Sequence, residues 1–360
     1  MKLRTSGSAL ALLIFVAAHP AFAQDTDDHH EATDNEPALL HAGAALMNEH
    51  MHEAGEVMVG LRFERSRWSG ANQAGTEELA DSAILAAGYT VRTRSMTMDM
   101  VMLDLMYAPT DSVTVMVMPH YMWHRMEMVG IDPANGAGGG HGGHGAGHGL
   151  PFGEVHEHGT EGFGDTLVSA SYRLARGRGF GAHATLGVWV PTGAVDRKNA
   201  DGTFVHYGMQ SGSGTWDLEP SLTVGGRAGN LGWGAQAAYR WRTEAHNASG
   251  FAFGDKARAT GWVSYLLGAS TQATGRLEYT HEGQVLGHYN GAHNHAAPPD
   301  RQENYGGDVV MAALGLTWRL PGEHARPQIA AELGVPLYQN LNGIQAPQDW
   351  RLTLAVSQVF

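Results

Sequence analysis

Residues 96–128 read MTMDMVMLDLMYAPTDSVTVMVMPHYMWHRMEM and hold ten of the chain's sixteen methionines. The residues alternate. Val101, Leu103, Leu105 and Tyr107 share one face of a first run, and Val113, Val115, Val117, Tyr121 and Trp123 share one face of a second. The opposite face carries Met96, Met98, Met100, Met102, Asp104 and Met106, then Met116, Met118, His120, Met122, His124, Met126 and Met128. A period of two is the signature of a β-strand. Ala108-Pro109-Thr110-Asp111 supplies a turn between the runs, so the stretch reads as a hairpin. With the turn there, Met100 lies beside His120, Met98 beside Met122 and Met102 beside Met118. A slip by one residue would move Asp104, His120 and His124 onto the Val/Leu face, so the pattern fixes the register.

The alternation continues outward from this hairpin. About twelve segments of roughly ten residues show it, at 56–66, 97–107, 113–124, 165–175, 180–190, 215–225, 232–243, 256–267, 274–284, 308–319, 326–336 and 350–360. The joins alternate between long (67–96, 129–163, 191–213, 285–305) and short (APTD, RGRG, RAGNLG, PGEH). Ten-residue strands, alternating join lengths and a final strand ending on Phe360 define an all-β chain, a transmembrane antiparallel β-barrel with both termini periplasmic. Closure leaves no exposed sheet edge. A soluble β-sandwich would share the alternation but not this combination.

The barrel assigns the faces. Apolar sets such as Val57, Val59, Leu61 and Phe63 must meet lipid, because an Arg or Lys there costs about 2–4 kcal/mol at mid-depth. The lumen therefore receives Arg62, Glu64, Asp104, Arg173, Asp217, Glu219, Arg240 and Arg258, a polar set of mixed sign.

The chain begins MKLRTSGSALALLIFVAAHPAFAQ, a basic start, an apolar run and a small-x-small site, which reads as a signal peptide over 1–23. Residues 24–55 form an acidic, His- and Met-containing segment, periplasmic or entering the barrel as a plug, and 56–360 form the barrel. The formal charge is -13 and there is no cysteine, which excludes disulfides and argues against nucleic acid. The partners expected are outer-membrane lipid and a small solute or metal ion; nothing sets the oligomeric state. No nucleophile pattern accompanies the rim histidine His281, so no enzyme is expected.

The lumenal Met/His face has two readings. Methionine is an adaptable gap-filler, so the stripe can be packing or an apolar lining. Thioether and imidazole are also soft-metal donors, which makes Met96, Met98, Met100, Met102, Met106, Met116, Met118, His120, Met122, His124, Met126 and Met128 candidates for copper. Further candidates are His141, His144, His148, His156 and His158 in an outer loop, and Met47, His50, Met51 and His52 on the periplasmic side. No cofactor is required on either reading; copper would be ligand or substrate.

The stretches NEHMHEAGEVMVGLRFER, TMDMVMLDLMYAPTDSVTVMVMPHYMWHRMEM, GFGDTLVSASYRL and GSGTWDLEPSLTVGG resemble a family of outer-membrane transporters. It is named for the meta-cleavage pathway of phenol degradation and is similar to the long-chain fatty-acid transporter barrels. Met/His-rich members resemble proteins encoded near copper and heavy-metal resistance functions. The resemblance runs over roughly 45–360 and implies a barrel and a transport role. This chain departs from the fatty-acid barrels in its shorter amino-terminal segment and fewer strands. The function expected is thus an outer-membrane channel for a small solute, either a soft metal passing a Met/His-lined lumen or hydrophobic and aromatic compounds with no metal role. A purely structural barrel is the remaining reading.

Overall fold

The computed structural model describes residues 41–135, 150–320 and 327–360. Twelve strands form one closed barrel: β1 (Val57–Ser69), β2 (Val91–Thr110), β3 (Val113–Met118, resuming after Pro119 as His120–Gly130) and β4 (Val155–Phe163, resuming as Thr166–Gly177) come first. They are followed by β5 (Phe180–Val190), β6 (Asp217–Ala228), β7 (Leu231–Arg242), β8 (Lys256–Leu266), β9 (Thr271–Glu282), β10 (Gly307–Arg319), β11 (Gln328–Gln345) and β12 (Gln348–Val359). Each pairs antiparallel with the next, and β1 pairs with both β2 and β12, which closes the ring. Closure gives every ladder a partner, the condition for exposing strands to hydrocarbon.

Exposure follows the alternation. Leu61 is 50% and Leu314 75% exposed, whereas Glu332 is 3% and Asp217 0% exposed. Large apolar groups outside and charges inside invert the pattern of a soluble protein, and the inversion identifies the outer surface as lipid-facing. No described helix is long and apolar enough to cross a membrane.

The hairpin between β2 and β3 needs a correction. Thr110 faces Val113, so the turn is Asp111–Ser112 and not Ala108–Asp111. Met102 therefore faces His120, Met100 faces Met122, Met98 faces His124 and Met96 faces Met126. Pro109 is the cause, since it has no N–H to give a ladder and the register is irregular between Tyr107 and Thr110. Ala108 bonds instead to the chain entering β1, with Gly55 N–H to its carbonyl at 2.8 Å and its own N–H to Glu56 O at 3.0 Å. The register moves by two residues, an even number, so every side chain keeps its face.

The other short turns at this end are tight. Arg178–Gly179 joins β4 to β5 and Gly229–Asn230 joins β6 to β7, with φ of 71° at Gly179 and 59° at Gly229, a region that favours glycine. The expected turn PGEH lies outside the described residues. At the opposite end β2 runs for 20 residues and β11 for 18, longer than expected, because both extend past the bilayer into the outer loops. There the loops fold over the mouth as a cap. Tyr289 is stacked between Phe204 at 4.2 Å and Tyr207 at 4.4 Å, and Phe251 meets Tyr207 and Tyr289 edge-on.

Candidate functional site

The methionine stripe faces inward and packs as two clusters. At the inner end Met102, Met106, Met116 and Met118 pack with Met58, Leu167 and Trp189, while Met47 and Met100 lie against them. At the outer end Met126 and Met128 pack with Val91, Val205, Met209 and Ala297, with Met96 alongside. Met98 and Met122 stand half-buried between. His120 and His124 are buried within the same stripe. His124 Nδ1 lies 3.4 Å from Thr160 Oγ1, and the Nδ1 of His120 has no hydrogen-bond partner among the described residues.

The lumenal charges pair with one another. Arg62 bonds Asp104 at 3.0 Å, Arg258 bonds Glu219 at 3.3 Å, and Arg240 and Arg242 converge on Asp217, the former at 2.6 Å. Glu64 accepts from Thr353 at 3.4 Å, and Arg173 donates to the Asp111 carbonyl at 2.7 Å. A second lattice joins Arg276, Glu278, Glu332 and Arg351, four charges that the alternation of their strands also turns inward. Arg276, 3% exposed, bonds Glu278 at 2.6 Å and Glu332 at 2.5 Å, and Arg351 bonds Glu278 at 2.9 Å. Paired charges of opposite sign satisfy each other and cross-link the barrel wall across its lumenal face.

Above that lattice is a chamber of about 380 Å³. Met96, Met126, Val309, Met311, Leu341 and Ile344 give it apolar walls. Glu278 and Arg351 belong to its floor, and Lys256 and Glu282, paired at 3.1 Å, add a polar edge. Its cap side includes Gly208, Val285, Pro299 and Tyr305. Tyr305 ties the cap together, because its hydroxyl donates to Pro299 O at 2.7 Å and accepts the Gly208 N–H at 3.2 Å. His206 Nδ1 meets Asp300 at 2.7 Å in the same cap. Burial opposes ionisation of Asp300, yet His206 prevails and holds its carboxyl below the usual range. None of these loop residues carries a periodic pattern, which is why the sequence did not reveal them.

Residues 41–55 occupy the inner end of the lumen. The carbonyl of His41 accepts from Ser264 Oγ and Gln272 Nε2, each at 2.7 Å. The carbonyl of Asn48 meets His183 Nε2 at 2.8 Å, and Gln236 donates to Met47 O at 3.0 Å. His52 N–H donates to Thr114 at 3.1 Å. Strands β3, β5, β7, β8 and β9 thus all hold the segment. Among its candidate residues, Met47 joins the inner methionine cluster, Met51 and His52 are buried, and His50 lies beside Glu49. Among the described residues, His41, Glu49 and His50 are the group whose donor atoms come close enough to share a metal ion. His41 and Glu49 were not singled out by sequence, because their meeting depends on a turn through Gly43 and Asn48, both at positive φ.

At the outer rim, His156 and His158 sit on β4 with their rings stacked 5.9 Å apart, and His158 lies 5.1 Å from His206. His141, His144 and His148 lie outside the described residues. His281 bonds Asp308 at 2.8 Å, and Tyr279 donates to the same carboxylate at 2.7 Å, an arrangement of interfacial polar groups.

The sequence profile of the family described as "Putative MetA-pathway of phenol degradation" matches residues 121–308. An outer membrane channel from Pseudomonas putida F1 is similar in structure, with a TM-score of 0.56 and 16% identity over 87% of this chain and 98% of that one. More distant are a Pseudomonas aeruginosa FadL homologue (TM-score 0.38, 9% identity, 85% of this chain and 90% of that one) and the NanC porin (0.39, 9%, 82% and 98%). No protein of curated function matches the sequence. Identities this low speak to fold alone, and the fold is that of a bacterial outer-membrane barrel. The profile covers more than half of the chain and runs through β3 to β9, so the protein belongs to the "Putative MetA-pathway of phenol degradation" family.

Proposed function

We propose that the protein is an outer-membrane channel for small amphipathic solutes of the single-ring aromatic kind, received in the chamber beneath the cap. The chamber itself carries this reading: about 380 Å³ with apolar walls and a charged floor. An apolar cavity of roughly 150 Å³ accepts benzene, so this one has room for a substituted ring and a few waters. Met96, Met126 and Met311 present polarisable sulfur to a ring, while Arg351 and Lys256 suit a phenolic or carboxylate group. The family's description, which refers to phenol degradation, points the same way. The aromatic-solute alternative is thereby preferred to copper moving along the stripe, because the thioethers pack against carbon neighbours in both clusters. Residues 41–55 act as a plug at the inner end.

Swelling of proteoliposomes in benzoate, against a sugar of similar size, tests the reading. Benzoate should enter faster, and Met126→Trp, which fills the chamber, should slow benzoate more than the sugar. Equal entry of both solutes, unaltered by Met126→Trp, would remove the aromatic assignment.

A further inference from the structure

We propose that His41, Glu49 and His50 form a binding site for one divalent d-block cation of the Zn(II) class, built into the plug. Two imidazoles converge on one carboxylate oxygen: Glu49 Oε1 lies 2.7 Å from His41 Nδ1 and 3.1 Å from His50 Nδ1. The donor atoms of the three residues all lie within 4.8 Å of one another. Ligands at about 2.0–2.2 Å from a tetrahedral zinc stand roughly 3.4 Å apart, so adjustments of less than about 1 Å would admit the ion. Without it, both Nδ1 atoms must carry a proton to bond the same oxygen. A cation at the two Nδ1 atoms would take the place of those protons, each neutral ring then carrying its single proton on Nε2, and would satisfy all three donors together.

The donor set selects the metal. Two neutral imidazoles and one carboxylate suit Zn(II), Ni(II) or Cu(II), whereas Mg(II) and Ca(II) require mainly oxygen. A cavity of about 110 Å³ borders all three residues and leaves space for a water ligand. His52 adds a further imidazole, its ring centroid 4.8 Å from that of His50 and its Nε2 buried with no hydrogen-bond partner among the described residues.

The site is held before any ion arrives. The barrel wall grips the His41 carbonyl on one side of the turn and the Asn48 carbonyl on the other. Glu49 is fixed by its second oxygen, which accepts the Ala42 N–H at 2.8 Å. Gly43 makes the turn at φ 106°, and a Cβ there would strike the Glu332 carboxylate. Preorganised donors lose little freedom on binding. The ion would tie residue 41 to residues 49 and 50 and so lock the plug in place. Only this consequence rests on the channel reading; the binding itself does not.

The test uses the full mature chain in detergent, stripped with a chelator and titrated with Co(II) by visible absorption and with Zn(II) by calorimetry. Wild type is compared with the His41→Asn/His50→Asn double variant and with Glu49→Gln, and heat-modifiable electrophoretic migration checks that each barrel is folded. The site predicts a tetrahedral Co(II) spectrum and one tight Zn(II) per chain. The double variant should bind at least about 100-fold more weakly, since loss of a mere outer-shell partner already costs 10–100-fold. A folded double variant that keeps wild-type affinity and spectrum would assign the ion to other histidines and overturn the proposal, as would a wild type that binds no tight ion. Benzoate entry, measured after the same preparations are reconstituted into proteoliposomes, separates the claims: a protein that binds Zn(II) at this site but excludes benzoate keeps the metal site and loses the channel assignment.

Discussion

The two methionine clusters share residue type, strand pair and spacing, yet they meet different surroundings. The inner cluster is closed over by Leu167, Trp189 and the Met47 of the plug, and Met118 is 1% exposed. The outer cluster rests on loop residues, and its Met96 and Met126 border the 380 Å³ chamber. Alternation places a side chain inside the barrel but does not say whether it meets carbon, charge or empty space. That is decided by what enters the lumen from each end, a plug at one and a cap at the other.

The layer between the two clusters should show the largest effect. Arg276 bridges Glu278 and Glu332 at the chamber floor. Arg276→Leu leaves the buried Glu332 carboxylate without its cation, while Glu278 keeps Arg351, and should cost about 3–5 kcal/mol in urea unfolding from lipid vesicles. A smaller loss would mean that water reaches this layer, and the two clusters would no longer be separate compartments.

Alanine scanning sharpens the contrast. Met118→Ala opens a hole in a dry cluster and should cost about 2–5 kcal/mol. Met126→Ala enlarges a space already present, so its cost should lie at or below the bottom of that range. Equal costs, read from the same unfolding midpoints, would mean that the two clusters are equally tightly packed.

The cap should respond to acid. Asp300 is held below the ordinary aspartate value by His206, so its contribution is complete above about pH 3.9 and fades as pH falls through the lower folded value. Proteolysis of the outer loops on intact cells should therefore rise below about pH 4 and stay flat from 5 to 8 as far as this group is concerned. Asp300→Asn should remove that acid dependence.

Smallest of all should be the conversion of Met98 and Met122 to Leu, at under about 1.5 kcal/mol each, because volume is conserved. Lost solute entry in that folded variant would show that sulfur, and not shape, is what the middle of the stripe supplies.

Much of this was legible in the sequence. Period-two patterning and join lengths gave the twelve strands, and the positions of Asp104, His120 and His124 fixed which face of the β2–β3 hairpin looks inward. The register erred by two because Pro109 lies inside β2 rather than in the turn, and alternation is blind to even shifts. The chamber and the His41–Glu49–His50 cluster were not legible. Both are made by irregular chain, the first by loops around Tyr207, Tyr289 and Tyr305 and the second by a turn at Gly43, where contacts are set by the wall across the lumen and not by spacing.

In the proposed channel, residues 41–55 close the inner end of the lumen and the chamber lies beyond them. Single-channel conductance in planar bilayers tests this directly, comparing wild type with a variant lacking residues 41–54 and confirmed as folded by heat-modifiable migration. Wild type should show a low conductance and the deletion a several-fold larger one. Equal conductance in the two proteins would contradict it.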